Sequence, residues 1–494
     1  MSLLGIDIGT TGCKAVAFDR EGKQIASSST EYPLLFPRAG WIELDPEEVW
    51  KKTVRAVRSV AEATRRDPVT ALAVSAQGEA FMPVDRTGRV LHNSIVTFDG
   101  RAEPLVSWWD RRMGRRRIFA ITGIPLSAMA TLPKIQWLRK FKPGLTRRTA
   151  RYLCFQDFFA LRAGVEPCID FSLAARTMGF DVSRLMWSDR ILHTAGLDQA
   201  LLARPVPSGT VIGELDSRAA AALGLSRGVR VVAGGHDQPC GALGAGVTGH
   251  DEAMYATGTV ECIVPTFTRP LTSAGLMRNN LCVYPHIVPG KYVSLAFNFT
   301  GGSLLRWYRD TFGGSYDGLV SASGDVPSRL LVLPHFTMTG TPYFDTRSGG
   351  VIAGLQLSTA RGEITAALLE GVTMEMRLNV ELLAAGGIRI RRFRAIGGGA
   401  KSPRWMQIKA DIMNRPVVVP EVTEAACLGA AIMAGVGTGI YRSAEEAVRA
   451  TVRTARTFRP RPSRVRRYDR LFLRYRELFP AMQNILHQLA HTEP

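Results

Sequence analysis

Two apolar runs, LLGIDI and CKAVAFD, flank a Gly-Thr-Thr-Gly turn at the start of the chain, and a second turn at Asp19-Arg20-Glu21-Gly22 leads into QIASSST. Short apolar runs separated by turn residues predict an antiparallel meander. Asp45 then supplies an N-cap, Pro46 a first-turn proline, and Glu47 and Glu48 an acidic first turn, while Trp50, Val54, Val57 and Ala61 recur at helical spacing. This pattern predicts a helix from about Pro46 to Arg66. The next run, TALAVSAQ, reads as a buried strand ending in Gln77-Gly78-Glu79, so the order is β-β-β-α-β. Polar groups at the end of such a strand stand where α/β sheets commonly hold ligands.

A similar opening returns after Gly249, where DEAMYATGTVECIVPTF again reads as strand, Thr-Gly-Thr turn, strand. Two halves with the same start suggest an internal duplication. Further on, the pattern predicts a long helix from about Glu363 to Ala385, a strand in RRFRAIGGG, a helix from Pro403 to Met413, a strand in PVVVP and a helix beginning at Thr423. That alternation indicates a second α/β domain. Between the halves, GVRVVAGGHDQPCGALGAGVTGHDE passes from a buried strand into a polar, glycine-rich stretch, which puts the boundary near Gly246 and makes this passage the floor of an interdomain cleft. The expected domains are residues 1–246 and 247–494, with the segment from about Thr454 packing back across both.

Composition supports this division. A chain of 494 residues with 46% hydrophobic content can bury a large core and suits two domains better than one. Its 62 Lys plus Arg against 43 Asp plus Glu give a net charge of +19, which favours phosphate-bearing partners: nucleotides, sugar phosphates or nucleic acid. The basic runs Arg111–Arg117, Arg389–Arg394 and Arg459–Arg467 are read as solvated arginine faces. Seven scattered cysteines without C-x-x-C spacing fit a reduced setting, and no uncharged apolar run reaches the ~18 residues of a membrane span. The expectation is a soluble cytoplasmic protein with no membrane partner.

Several short segments carry candidate chemistry. In Asp7-Ile8-Gly9-Thr10-Thr11-Gly12 the glycines admit close backbone approach, the threonines can donate to phosphate oxygens, and Asp7 can hold a metal directly or through water. An ordinary hairpin is the competing reading, and the second turn, Ala256-Thr257-Gly258-Thr259, tilts the balance towards a polyphosphate clamped from both sides. Gly397-Gly398-Gly399-Ala400, between a strand and a helix, offers bare backbone to a flat ligand or a phosphate, against the alternative of a tight connection. Gly244 to Gly249 matches G-x-G-x-x-G, but a strand follows it, so a dinucleotide fingerprint is rejected. In Gly235-His236-Asp237-Gln238 a single carboxylate suits a general base, with a helix N-cap as its alternative, and His236 is read as a packed or exposed histidine.

Together these segments resemble the FGGY carbohydrate kinases. GIDIGTTGCKAVAFD is similar to that family's first phosphate motif, YATGTVE to its second, and AIGGGAKSPRWMQIKADIMNRPV with EVTEAACLGAA to its adenosine motif. TLPKIQWL and GVIAGLQLSTARGEITAALLEG resemble its two signatures, with Leu368 a departure in the second; GWIELDPEEVW, DFSLAARTMGFDV and PSGTVIGEL resemble further segments in the same order. The resemblance implies an α/β fold of two ribonuclease H-like domains, as in actin and heat-shock protein 70, around a central cleft. It implies transfer of the γ-phosphoryl of ATP to a hydroxyl of a sugar or polyol with Mg²⁺ bridging the phosphates. By position Asp237 would be the base and Asp7 would hold the metal. Gly9, Thr10, Thr11, Lys14, Thr257, Gly258 and Thr259 would surround the phosphates, and Gly398, Gly399 and Ala400 would face the adenosine.

The acceptor pocket would take Gln77, Gly78, Glu79, Asp99 and Gln238 beside Asp237. Xylulokinases typically have Met-His where this sequence has Gly78-Glu79, and glycerol kinases have Arg-Glu. Glu79 can accept hydrogen bonds from neighbouring hydroxyls, which favours a polyol or ketose over a sugar acid. Asp99 and Arg101 resemble a Trp-x-Asp-x-Arg segment with Thr97 in place of the Trp, and Trp41 is read as a core aromatic. A homodimer is a family expectation. The competing functions are an ATP-hydrolysing or regulatory member of the same fold and a basic nucleic-acid-binding protein, the latter without any specific recognition motif.

Overall fold

The computed structural model describes residues 1–490; residues 491–494, included in the second expected domain, lie outside the described residues. Two sheets organise it. The first has six strands in the order Val211–Glu214, Arg230–His236, Val69–Ala76, Ser2–Ile8, Gly12–Phe18, Gln24–Glu31. Arg230–His236, Val69–Ala76 and Ser2–Ile8 run parallel and the others are antiparallel. The predicted meander and buried strand are therefore present in one sheet. The helix Pro46–Ala63 lies against it, capped by Asp45 accepting from the backbone of Glu47. That helix ends at Ala63 with Thr64 as its C-cap residue, short of the expected Arg66.

The second sheet repeats the plan. Glu252–Thr257 and Glu261–Phe267 form an antiparallel hairpin, and Arg392–Ile396 lies parallel to its first strand as Val69–Ala76 lies parallel to Ser2–Ile8. Val417–Pro420 continues the parallel set and Thr454–Phe458 closes that edge antiparallel. The helices Arg361–Ala385 and Pro403–Met413 match their expected positions.

Central strands buried on both faces pack into different cores according to their period of two. Leu4, Ile6, Leu72 and Val74 join the large core shared with Val57 and Val60, whereas Leu3, Ala71, Ala73 and Val232 face a second apolar cluster with Cys427, Leu428, Ala431 and Ile432. These last residues belong to the helix Ala425–Gly437, which crosses to the first sheet although its neighbours in sequence build the second. Glycines allow the approach: a Cβ on Gly5 would lie 1.8 Å from the Cys427 carbonyl oxygen, and one on Gly244 would lie 1.8 Å from that of Ala425.

Three expectations need correction. The helix expected from Thr423 begins at Ala425, because Glu424 is its N-cap residue and sends its carboxylate elsewhere. The chain crosses between sheets at Ala425–Gly437 and not from Thr454 onward; Thr454–Phe458 stays in the second sheet, and the helix Pro462–Leu489 docks there through Tyr468 donating to Glu370 at 2.7 Å and Arg377 paired with Asp469 at 2.8 Å. The arginine runs are not all solvated faces. Arg111–Arg117 is mostly exposed, but Arg394 pairs with Glu252 at 3.5 Å, and Arg461 bridges Asp411 at 2.7 Å and Asp325 at 2.8 Å. All seven cysteines are buried free thiols, and among the described residues no helix is long and apolar enough to cross a membrane.

Candidate active site

Three parallel strands deliver their C-terminal ends side by side: Asp7 is in register with Ser75, and Gly235 and His236 with Ser75 and Ala76. Asp7, the 77–79 segment and Asp237 therefore share one edge of the first sheet, outside the carboxyl ends of its strands. Asp7 accepts a hydrogen bond from Ser75 Oγ at 2.7 Å. Burial raises its pKa against the opposing pull of Ser75 and Lys14, so the site favours a cation beside it.

The turn after Asp7 is braced from below. Gln77 donates through Nε2 to the Gly9 carbonyl at 2.9 Å and accepts from Thr10 Oγ1 at 3.1 Å, and the Tyr32 hydroxyl lies 2.7 Å from Gly9 O. Both ends of the Gln77 amide thus hold the turn, while Thr11 remains exposed. Lys14 Nζ reaches Glu424 Oε2 at 2.7 Å, a contact across 410 residues of sequence that explains why Glu424 does not cap its own helix.

The second turn joins the glycine segment. Gly258 N donates to Val260 O at 3.1 Å, and Gly302 N, at the start of the helix Gly302–Phe312, donates to Gly258 O at 2.7 Å. Thr257 Oγ1 is buried without a hydrogen-bond partner. Behind the turn Lys409 forms a fully buried ion pair with Glu261, its ammonium 3.7 Å from the Tyr255 ring centroid. Gly397 takes a left-handed φ of 89°, and a Cβ on Gly399 would lie 2.3 Å from Thr257 Cγ2. A cavity of about 1040 Å³ opens between these elements, lined by Gly258, Thr259, Gly302, Gly398, Gly399 and Trp405 on one side and by Tyr316, Asp317 and Val320 on the other. Ala400 is turned away from it, its N donating to Gly397 O at 3.1 Å, while Lys401 and Ser402 reach it. Bare backbone and a helix N-terminus beside a largely apolar cavity suit a nucleotide.

Around Glu79 the geometry departs from the sequence reading. Glu79 has φ 62°, which turns its side chain inward to pair through Oε1 with Arg176 and to accept from Thr97 Oγ1 through Oε2 at 3.2 Å. Arg176 lies on the short helix Phe171–Arg176, 3.3 Å from Cys282 Sγ and over the Tyr284 ring at 5.2 Å. A Cβ on Gly78 would stand 2.9 Å from His236 Nε2 and 3.3 Å from Arg176 Cγ, so the space of a residue-78 side chain is already filled. Asp99 is buried with both oxygens engaged, by Ile42 N at 2.6 Å and by Arg101 Nε at 2.7 Å. Its partner Arg101 lies 4.1 Å from the Trp41 ring centroid and 5.1 Å from that of Trp137, so Asp99 is held in a buried arginine–tryptophan cluster. Lys134 is buried as well, donating to Val96 O at 2.7 Å, and burial lowers its pKa to about 7.

Asp237 is the first residue of the helix Asp237–Gly244, whose N-cap is His236 and not Asp237 itself. Burial, then the Asp7 and Glu79 carboxylates, raise its pKa to about 7. His236 Nε2 lies 3.2 Å from Asp237 Oδ1, but burial and Arg176 hold the imidazole neutral, so the contact is not an ion pair, and Oδ1 has no aligned hydrogen bond. Gln238 accepts from Cys262 Sγ at 3.3 Å. A carboxyl poised near neutrality at a strand end can take a proton from a hydroxyl.

Sequence reasoning missed Arg176, Tyr284, Lys409 and Glu424. Arg176 lies in DFSLAARTMGFDV, where a lone arginine among apolar residues was the available signal. Among the described residues no three His, Cys, Asp or Glu side chains cluster as a metal site. Mg²⁺ is commonly bound through one or two carboxylates together with substrate phosphates, and Asp7 fits that pattern.

Comparison with known proteins agrees with this geometry. Residues 2–244 match the N-terminal domain of the FGGY family of carbohydrate kinases and residues 253–438 its C-terminal domain. The chain is 28% identical to a xylulose kinase of Bacillus subtilis, covering 97% of this chain and 96% of that one. It is 32% identical to a glycerol kinase of Symbiobacterium thermophilum, covering 90% and 91%. The crystal structure of a xylulose kinase from Rhodospirillum rubrum superposes with a TM-score of 0.90 at 26% identity, covering 99% of this chain and all of that one. With both family domains matched in order and the two-sheet architecture in common, the chain belongs to the FGGY family of carbohydrate kinases, ATP-dependent phosphotransferases with an alcohol acceptor and the two-domain actin and heat-shock-protein-70 fold.

Proposed function

We propose that the protein phosphorylates a neutral polyol or ketose, with Asp237 as the general base. The observation that carries this reading is the Asp237 carboxyl, raised to about 7 and sharing a sheet edge with Asp7 and with the Glu79–Arg176 pair. Glu79 and Arg176 together present an acceptor and a donor with no net charge, which suits hydroxyls better than a carboxylate ligand. The cavity beside Gly258, Gly302 and Gly399 takes the nucleotide, the two Thr/Gly turns hold its phosphates, and residues 1–246 and 247–494 serve as acceptor and nucleotide domains.

Asp237 accepts the hydroxyl proton as the acceptor oxygen attacks the γ-phosphorus, and ADP leaves. Asp7 would hold Mg²⁺, which when bound would supply charge neutralisation. The neighbouring turns position the phosphates in line and limit water as a competing acceptor.

The test is ADP release from Mg-ATP with glycerol, erythritol, xylitol, D-xylulose, D-fructose or D-gluconate. A neutral polyol or ketose should stimulate release at least about tenfold over the acceptor-free rate, with no response to gluconate, and Glu79→Ala should raise the acceptor KM while leaving that for ATP unchanged. Stimulation by gluconate alone, or by none of the panel, refutes the acceptor assignment.

A further inference from the structure

His236 ends the strand Arg230–His236 with its backbone fixed: His236 N donates to Ser172 Oγ at 2.9 Å, and Ser172 Oγ donates to Asp170 Oδ2 at 2.6 Å. Its buried imidazole then has two polar neighbours. Nδ1 lies 3.0 Å from the Tyr284 hydroxyl, and Nε2 lies 3.2 Å from Asp237 Oδ1. The ring can stand there because residue 78 is glycine; a Cβ at that position would be 2.9 Å from Nε2.

The Tyr284 hydroxyl can donate or accept, whereas an ionised Asp237 oxygen can only accept, so this pair of neighbours sets Nδ1 to accept from the Tyr284 hydroxyl. The neutral ring must then carry its proton on Nε2, the atom that faces Asp237. The other groups facing that carboxylate are Asp7 from the first strand, Glu79 just after the strand Val69–Ala76, Gln238 on its own helix, and Cys262 and Tyr284 from the second sheet; Arg176 faces His236 and is paired with Glu79. Asp237 Oδ1 is buried without an aligned partner, while its side chain as a whole is 29% accessible.

We infer that His236 is a positioning residue for Asp237, with the Tyr284 hydroxyl donating to Nδ1 and the Nε2–H delivered to Asp237 Oδ1. The inference rests on Asp237 being the base. With Oδ1 pinned, the other carboxylate oxygen is left to take the acceptor's hydroxyl proton. The oxygen–phosphorus bond forms as the γ-phosphorus bond to ADP breaks, and His236 keeps its proton throughout. Catalytic hydrogen bonds of this kind commonly tighten only when substrate is bound, which accounts for the imperfect alignment at 3.2 Å. Tyr284 lies on the edge of the second sheet, so each half of the duplicated fold contributes to aiming one carboxylate.

Two measurements test this. In the unaltered protein at pH 7, ¹⁵N ring shifts of His236, assigned by comparison with His236→Gln, should report Nε2–H and a bare Nδ1, and Tyr284→Phe should weaken that preference. An Nδ1–H tautomer or an imidazolium overturns the inference. In ADP release with Mg-ATP and D-xylulose or glycerol, His236→Phe should lower kcat by about 10–100-fold with little change in either KM. His236→Gln, which keeps an N–H near Nε2, should restore part of the loss. If His236→Phe keeps its kcat while Asp237→Asn is inactive, the inference fails alone; if Asp237→Asn itself turns over normally, the base assignment has failed.

Discussion

Asp237→Asn should slow transfer and stabilise the fold in the same molecule. The carboxyl is raised from an ordinary 3.8 to about 7. Three pKa units at about 1.36 kcal/mol each set a ceiling of about 4 kcal/mol on the cost of holding it charged. Its side chain is 29% accessible, which lets water offset part of that cost, so the expected gain from the uncharged amide at pH 8 is about 1–3 kcal/mol. The sign follows from proton counting. Between pH 3.8 and about 7 the folded protein keeps a proton that the unfolded chain has released, so this group's contribution to stability declines as pH rises through that interval and levels off above it. Asn has no such slope. Urea unfolding of both proteins at pH 5 and pH 8, in EDTA and without nucleotide, should show a larger advantage for the variant at pH 8. Turnover should fall by about 10²–10⁴-fold. Equal stability at pH 8, or the same difference at both pH values, would refute the electrostatic account.

Two further substitutions address the nucleotide side. Gly399→Val places a branched side chain where even a Cβ lies 2.3 Å from Thr257 Cγ2 and 3.0 Å from Trp405, so calorimetric ADP affinity should drop about tenfold or more with the acceptor KM at saturating ATP unchanged; an unaltered Kd argues against contact with the nucleotide. Lys409→Met strands Glu261 beneath the second phosphate turn and should cost about 3–5 kcal/mol in thermal or urea unfolding, with Lys409→Met plus Glu261→Leu recovering much of it; a neutral single substitution would show that the pair does not brace the turn.

What the sequence disclosed about this site follows how local each feature is. Asp7, Asp237 and the Thr/Gly turns were legible because a strand end, a turn and a helix start leave signatures within a dozen residues. Gly399 was legible for the same reason, although its role depends on Thr257 from another strand. Glu79 was read as a hydrogen-bond acceptor without its ion-pair partner, since Arg176 lies almost a hundred residues on, on a turn of helix with no pattern of its own. Asp99 was read for the acceptor pocket without its partner Arg101, two positions away, which engages both of its oxygens. Glu424 and the crossing of Ala425–Gly437 depend on contacts between opposite ends of the chain, and hydrophobic periodicity does not record which sheet a buried helix will cover.

That crossing helix has a consequence for synthesis on the ribosome. Leu3, Ala71, Ala73 and Val232 are all made by residue 236, yet the helix that covers them begins at Ala425. About 190 further residues must be polymerised first, on the order of 10–40 s at common elongation rates. During that interval the early sheet presents an oily surface to the cell. A nascent chain of the first 246 residues is therefore a natural client for chaperones, and its maturation waits for the far end of the message.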